Sequence, residues 1–198
     1  MISEPKTIAF LDELRAKTTD SHKKLEALSV STSITNPKIS LRDYAHYLGL
    51  MRDVIADTET HIFPTLSATI DDIKSRHKLG WIEADLQNIG AMPKDSLTVF
   101  AHPQINSVAF ALGMMYTVEG SVLGGRYILK NIQSVLGFDE HSGARYFYGY
   151  GNKTGQFWKE FLQKLEASAQ NPGHQEEIIA GAKYAFDAIH QHFSENPL

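Results

Sequence analysis

One histidine occupies a helix face that otherwise carries apolar or hydroxyl-bearing residues. Near the start of the chain, this face is formed by residues spaced 3, 4, 4 and 3 apart, namely Leu11, Leu14, Thr18, His22 and Leu25. At about 100° per residue these positions fall within roughly 80° of the helix circumference. The spacing therefore predicts that His22 projects from the inward-facing stripe of an amphipathic helix. An imidazole there either hydrogen-bonds within the core or is the axial ligand of a bound group.

Two charged residues lie near His22 on the same predicted helix. Arg15 precedes it by seven residues, which is roughly 10 Å along the helix axis on nearly the same face. Glu26 follows it by one turn. At that distance the Arg15 guanidinium could pair with a carboxylate at the edge of a ligand. Glu26 could orient the imidazole or order a water molecule. Both residues could equally belong to a solvated helix flank.

A second helix, much later in the chain, is dense in glycine. Gly113, Gly120 and Gly124 are spaced 7 and 4 residues apart, so they share one face. A glycine inside a helix costs about 1 kcal/mol relative to alanine. Two explanations remain open, namely close packing against another helix and a backbone that lies against a flat ligand. Ser121 is on the shoulder of this face and could hold a water molecule.

The hydrophobic periodicity is helical almost throughout the 198 residues, and we predict a single all-α domain over residues 1–198. The first helix is expected to run from Ser3-Glu4-Pro5 to about Ser29. A second helix is expected from an N-cap at Ser40 to Pro64, followed by one or two shorter helices over 69–90 that are closed by Gly90 and Pro93. A long helix is expected from Gln104 to Leu136, with a bend or loosening at the glycines and a stop at Gly137. Two further helices are expected over 153–169 and 172–194. Residues 138–152 are expected to form a loop.

Composition and missing motifs exclude several functions. The chain has no cysteine, which excludes disulfides, thiolate ligands and iron–sulfur clusters. A net charge of −4 gives no support for nucleic-acid binding. Glu-x-x-His, which is typical of di-iron bundles, does not occur, and no glycine-rich motif predicts a flavin or nucleotide site. We expect no signal segment and no apolar stretch long enough to span a membrane, and hence a cytoplasmic protein without a membrane partner.

Three segments together resemble the heme oxygenase family. Residues 14–26 look like its proximal-helix motif, residues 116–126 like the distal helix of its bacterial members, and residues 178–186 like its last helix. They occur in the family's order and span nearly the whole chain. The resemblance implies an all-α bundle in which heme lies between the first helix and a glycine-rich distal helix.

The resemblance also implies roles for individual residues. His22 would be the proximal ligand of the heme iron, and Arg15 would pair with a heme propionate. The implied cofactor-binding residues are Arg15, His22, Glu26, Thr117, Gly120, Gly124 and Phe186, and the implied catalytic residues are Gly120, Ser121 and Gly124. Ser121 stands where mammalian members have an aspartate that organises distal water. The family has basic residues on its penultimate helix, and their alignment with this chain is ambiguous. Lys159 and Lys164 are the candidates for binding a propionate.

The implied activity is the oxidative opening of heme to biliverdin with release of CO and ferrous iron. Heme would be both substrate and cofactor, O₂ the oxidant, and an external protein such as ferredoxin or a reductase the electron donor. A basic docking face is predicted from Lys17, Lys23, Lys24, Arg126 and Lys130, although these residues could simply be solubilising.

Two other functions stay open. Ser121 in place of the aspartate is compatible with a non-catalytic heme carrier or sensor on the same fold. A different enzyme on a related helical architecture, such as a thiaminase-like protein, would bind no stoichiometric heme. The sequence does not indicate the regiochemistry of cleavage, the electron donor or the oligomeric state.

Overall fold

The computed structural model describes residues 5–91, 97–100 and 103–198, and these ranges contain helices, turns and loops but no strand. The all-α fold expected from the sequence is confirmed. The helices are α1 (Pro5–Glu26), α2 (Ser29–Ser33), α3 (Leu41–Asp57), α4 (Phe63–Leu66), α5 (Leu79–Asn88), α6 (Val108–Ser121), α7 (Gly125–Leu136), α8 (Arg145–Tyr148), α9 (Thr154–Ser168) and α10 (His174–Glu195). The expected helix start at Ser3-Glu4 and the expected stop at Pro93 lie outside the described residues.

The α3 helix begins as predicted and ends earlier than predicted. The Ser40 hydroxyl accepts the backbone N–H of Asp43 at 3.1 Å, which is the expected N-cap. A π-helical turn, Thr58–Ile62, then connects α3 to α4, and Pro64 lies in the first turn of α4. Proline lacks an N–H and its ring crowds the carbonyl four residues earlier, so the α-helical pattern is interrupted one turn before Pro64.

The glycine-dense helix is divided at its glycines, as the sequence predicted. A 3₁₀ turn, Val122–Gly124, separates α6 from α7. Gly137 ends α7 with φ of +78°, a conformation that glycine adopts without steric cost. The α6 helix starts later than expected, because a separate 3₁₀ turn covers Pro103–Asn106 and Ser107 caps α6.

The run Val108–Leu136 corrects one expectation about membranes. Its 29 residues are long and apolar enough to cross a membrane by length and composition, so the expectation that no stretch is long enough is wrong. In the structure, 61% of its most apolar window is buried within the fold. The core helix of a soluble protein passes the same test, so this run is weak evidence for a membrane segment.

The α6 and α10 helices pack with their backbones in direct contact. A β-carbon on Gly113 would lie 1.9 Å from the Ile178 carbonyl oxygen, and one on Gly181 would lie 2.0 Å from the Phe110 carbonyl oxygen. The Thr117 hydroxyl donates to the Ala182 carbonyl at 3.1 Å across the same interface. Close packing therefore explains Gly113, the first of the three glycines that share a face in the sequence.

Gly113→Ala is expected to destabilise the chain by about 3 kcal/mol or more, because an added methyl forces two packed backbones apart. Urea denaturation followed by circular dichroism measures this loss. Gly49→Ala is the matched control, since Gly49 lies inside α3 with nothing within 4 Å of an added β-carbon. It should be neutral or slightly stabilising. Equal stability of the two variants would contradict the packing explanation of Gly113.

Candidate functional site

His22 lies near the carboxyl end of α1, at the point where the buried stripe of that helix ends. Leu14 and Thr18 are buried as predicted. The predicted inward position does not hold for His22, whose side chain is 54% exposed. The Phe186 ring of α10 covers one edge of the imidazole at a centroid distance of 5.4 Å. Because α10 covers one side and the opposite side is open, the imidazole is held in place and still accessible to a ligand.

Glu26 lies beside this imidazole, as its spacing predicted. Its Oε1 atom is 3.5 Å from Nε2 of His22, which is longer than a preferred hydrogen bond but within ion-pair range. The Glu26 side chain is exposed. Its carboxylate can therefore steady the ring and can also swing away when a ring nitrogen takes a ligand.

Arg15 extends from α1 on the side that faces Tyr116 of α6. Its side chain is 73% exposed and lies 3.4 Å from Asp12. Burial raises the pKa of the Tyr116 phenol, while the positive charge of Arg15 and the nearby Thr18 hydroxyl act in the opposite direction. Sequence reasoning did not single out Tyr116, which directly precedes Thr117 in α6. A guanidinium and a phenol close together form a suitable binding site for a carboxylate.

Gly120 and Gly124 differ from Gly113 in what surrounds them. A β-carbon on Gly120 would only touch Trp158 at an ordinary 3.6 Å, and one on Gly124 would have nothing within 4 Å. Gly125 resembles Gly113, because its β-carbon would lie 2.5 Å from the Phe147 carbonyl oxygen. Packing therefore requires Gly113 and Gly125, whereas Gly120 and Gly124 leave space that packing does not need.

Ser121 borders a small cavity, and the glycine that lines this cavity is Gly125. Its hydroxyl donates to the Val118 carbonyl at 2.7 Å. The cavity has a volume of about 30 Å³ and is lined in part by Ser121, Tyr146 and Met51. That volume suits one water molecule, and three of the lining side chains bear a hydroxyl, namely Tyr47, Ser121 and Tyr146. It is far too small for a porphyrin, so a heme would have to lie against the exposed face of His22.

The remaining candidate residues are in different environments. Thr117 is buried and its hydroxyl is used in the α6–α10 contact, so its predicted part in cofactor binding stays a prediction. Lys164 pairs with Asp71 at 2.5 Å. Lys159 is exposed on the same helix, α9. Of the two lysines, Lys159 is the better candidate for a carboxylate of the ligand.

The donor set restricts the kind of metal group that would fit. Within residues 5–91, 97–100 and 103–198, no group of three or more histidine, cysteine, aspartate or glutamate side chains could hold a metal ion. A metal bound at His22 must therefore bring most of its own ligands. An iron porphyrin meets this requirement, because its ring supplies four nitrogen ligands.

Comparisons with known proteins identify the family of the chain. The family model described as Heme oxygenase matches residues 8–195. The heme oxygenase PigA of Pseudomonas aeruginosa is 27% identical over 183 residues, which are 88% of this chain and 86% of that protein. A heme oxygenase of Xanthomonas campestris pv. campestris is 29% identical over 115 residues, which are 58% of this chain and 66% of that protein.

Solved structures of the same fold come from several bacteria. The NO- and CO-bound heme oxygenase of Neisseria meningitidis superposes with a TM-score of 0.73 at 25% identity, covering 93% of this chain and 92% of its own. Heme oxygenase-1 of the cyanobacterium Synechocystis, in complex with heme, gives a TM-score of 0.72 at 17% identity, with 94% of this chain and 91% of that chain covered. The family model covers nearly the entire chain, and the chain therefore belongs to the heme oxygenase family.

Proposed function

We propose that this chain converts heme to biliverdin with release of CO and ferrous iron, using O₂ and electrons from an external donor. The observation that best supports the proposal is the accessible His22 imidazole, together with the open space at Gly120 and Gly124. Heme would be the substrate and would also supply the iron at which O₂ is activated. Every other contribution to the reaction must come from the side chains and backbone of the protein.

On the proximal side, His22 would bind the iron through a ring nitrogen while Phe186 and Glu26 fix the orientation of the ring. An imidazole is a weaker electron donor than a thiolate and promotes cleavage of the O–O bond less strongly. Glu26 lies beside Nε2, so it would act as the orienting partner that metal-bound histidines commonly have when the iron is bound through the other ring nitrogen, Nδ1. This arrangement would favour oxidation of the porphyrin edge, as the proposed function requires.

On the distal side, Gly120 and Gly124 would leave room for O₂ and offer no side chain that could block the sixth position of the iron. Ser121 would contribute its hydroxyl and the neighbouring small cavity to the ordering of water. It would thereby replace, in part, the aspartate of mammalian members. The heme oxygenase of Neisseria meningitidis, which has the same fold, was crystallised with NO and CO.

At the edge of the heme, Arg15 and Tyr116 would bind a propionate, and Lys159 is the candidate for the other. Lys17, Lys23, Lys24, Arg126 and Lys130 are each exposed, and we propose that they form a basic docking face. It would present positive charge to an acidic electron donor, such as a ferredoxin or a reductase. We propose the cytoplasm as the site of the reaction.

Arg15→Glu is expected to weaken heme binding about tenfold, which corresponds to about 1.4 kcal/mol, or to change the biliverdin isomer. The reason is repulsion between the new carboxylate and a propionate. Fluorescence-quenching titration with hemin and chromatography of the product measure the two effects. Lys17→Glu reverses the charge of another exposed residue of α1 and is the control. Unchanged affinity and an unchanged isomer in Arg15→Glu would show that the propionates are held elsewhere, and Lys159 would be tested next.

The function itself is tested by titrating the chain with hemin and then adding ascorbate or a reductase under air. An enzyme should bind one equivalent of heme, lose the Soret band after reductant is added, and form biliverdin. A stable Soret band in the presence of reductant would indicate a carrier or sensor, an alternative that Ser121 keeps open. Absence of saturable heme binding would contradict both functions.

A further inference from the structure

A buried charged cluster holds the end of α6, immediately before Gly120. Glu119 is 2% exposed. One of its carboxylate oxygens accepts a hydrogen bond from the Arg76 guanidinium at 3.0 Å, and the other contacts the Lys78 ammonium. The Tyr150 hydroxyl lies 3.0 Å from both oxygens. We call Glu119, Arg76, Lys78 and Tyr150 the Glu119 cluster.

The backbone before α5 delivers both cations to Glu119. His77 is extended, with φ of −62° and ψ of 133°, so Arg76 and Lys78 point to the same side of the chain. His77 points away and pairs with Glu59 at 2.7 Å. Glu59, in the π-helical turn, also accepts the backbone N–H groups of Lys78 and Leu79. The π-helical turn therefore fixes the segment that carries the two cations.

The cluster is fully paired in a way that defines one geometry. Arg76 also binds Asp72 at 2.9 Å and the Phe157 carbonyl at 3.1 Å. Two cations thus face two carboxylates, and burial together with the nearby Glu119 charge raises the pKa of Tyr150, which stays protonated and donates. A buried ion pair is often no more stabilising than apolar packing of similar volume, because removing each ion from water costs several kcal/mol. The arrangement therefore points to a role in defining position.

The position that the cluster defines is the glycine wall of the candidate site. Glu119 immediately precedes Gly120, and the 3₁₀ turn at Val122–Gly124 begins directly after α6 ends. Trp158 of α9 lies next to Gly120, and the adjacent Phe157 carbonyl binds Arg76. Glycines make this backbone deformable. Through the buried Glu119, the cluster joins this backbone to two neighbouring parts of the fold, namely the segment of residues 76–78 and helix α9.

We propose that Glu119 is a positioning residue that fixes the backbone of Gly120 and so sets the room for a ligand at the sixth position of bound heme iron. This inference rests on the proposed function. Glu119 acts through Gly120 and does not touch the heme. The glycines provide the space, and the cluster determines its dimensions.

The test compares a small and a bulky ligand of the ferrous heme complex under argon, namely carbon monoxide and tert-butyl isocyanide. Glu119→Gln and Tyr150→Phe each loosen the cluster. The expected result is a change of about tenfold in the ratio of the two dissociation constants, because displacement of an active-site group by about 1 Å can change rates by up to about a hundredfold. Both ligands occupy the sixth position, so a change in global stability alone would leave the ratio of the two dissociation constants unchanged.

A neutral variant and a matched control complete the design. If Glu119→Gln leaves two buried cations unpaired and fails to fold, the triple variant Arg76→Met, Lys78→Met, Glu119→Leu removes the buried charges while filling the volume. Asp53→Asn alters another buried carboxylate, which lies in α3 at 3.3 Å from Nε2 of His192 and outside the cluster. We expect it to lower stability without changing the ligand ratio.

The outcomes separate this inference from the proposed function. A wild-type chain that binds no heme would contradict both. A wild-type heme complex that depends on His22, with the same ligand ratio in the folded cluster variants, would overturn only the positioning role of Glu119. A changed ratio in the Asp53→Asn control as well would show that the ratio reports general loosening, and would also overturn it.

Discussion

His22→Ala is expected to weaken heme binding by at least about a hundredfold, which corresponds to about 2.8 kcal/mol, and to abolish turnover. The physical reason is that, in the proposed complex, this imidazole is the one protein ligand of the iron. Because the side chain is more than half exposed, its removal should leave the fold intact. Absorption spectroscopy of the ferric complex and far-ultraviolet circular dichroism measure the two effects. Added imidazole should partly restore the spectrum by occupying the vacated space.

His141→Ala is the control for this prediction, because His141 is also exposed but lies in the loop before α8. It should bind and convert heme as the wild type does. If His22→Ala kept the wild-type Soret position and turnover, another histidine would be the iron ligand and the proposed site would be wrong.

Gly124→Leu is expected to lower turnover by about a hundredfold while leaving the heme-free chain at least as stable as the wild type. A β-carbon there meets no protein atom within 4 Å, so the leucine should occupy the space proposed for O₂ and water. Gly124 ends the 3₁₀ turn with right-handed backbone angles, which leucine adopts without strain. Single-turnover absorption and urea denaturation measure the two quantities. Gly120→Leu should behave similarly, with a smaller gain in stability because Trp158 is close.

Stability and activity should therefore change in opposite directions at Gly124 but together at Gly113. Gly113→Leu would place its side chain into the α10 backbone and is expected to unfold the chain. If Gly124→Leu converted heme at the wild-type rate, Gly124 would have no role in forming the distal space.

The helical framework was predictable because its signals are local. The Ser40 cap, the loosening at Val122–Gly124 and the stop at Gly137 follow from hydrogen-bonding capacity and backbone freedom of single residues. The interruption of α3 one turn before Pro64 was harder to predict, because a proline acts on the turn that precedes it. Two short helices were missed. No helix was predicted at α2, since Ser/Thr-rich segments have weak helix propensity, and the predicted loop over 138–152 contains α8.

The site was predictable only in part, because its geometry depends on tertiary packing. Helical spacing placed His22, Glu26 and Arg15 near one face, but it could not show that the cover over His22 would be incomplete. Spacing also grouped Gly113 with Gly124. Their surroundings in the fold distinguish them, because Gly113 packs against the α10 backbone and Gly124 borders open space. The Glu119 cluster joins residues more than forty positions apart in sequence. Its only local signal was a single carboxylate in an apolar helix.

The most direct test of the account is the amount of CO released per heme in a single turnover of the wild-type chain, with reductant, O₂ and catalase present. Catalase removes free hydrogen peroxide, which could otherwise degrade heme without an enzyme. The account predicts one CO, one biliverdin and one ferrous iron for each heme consumed, and none from His22→Ala. Heme that stays intact, or that is lost without equimolar CO, would contradict it.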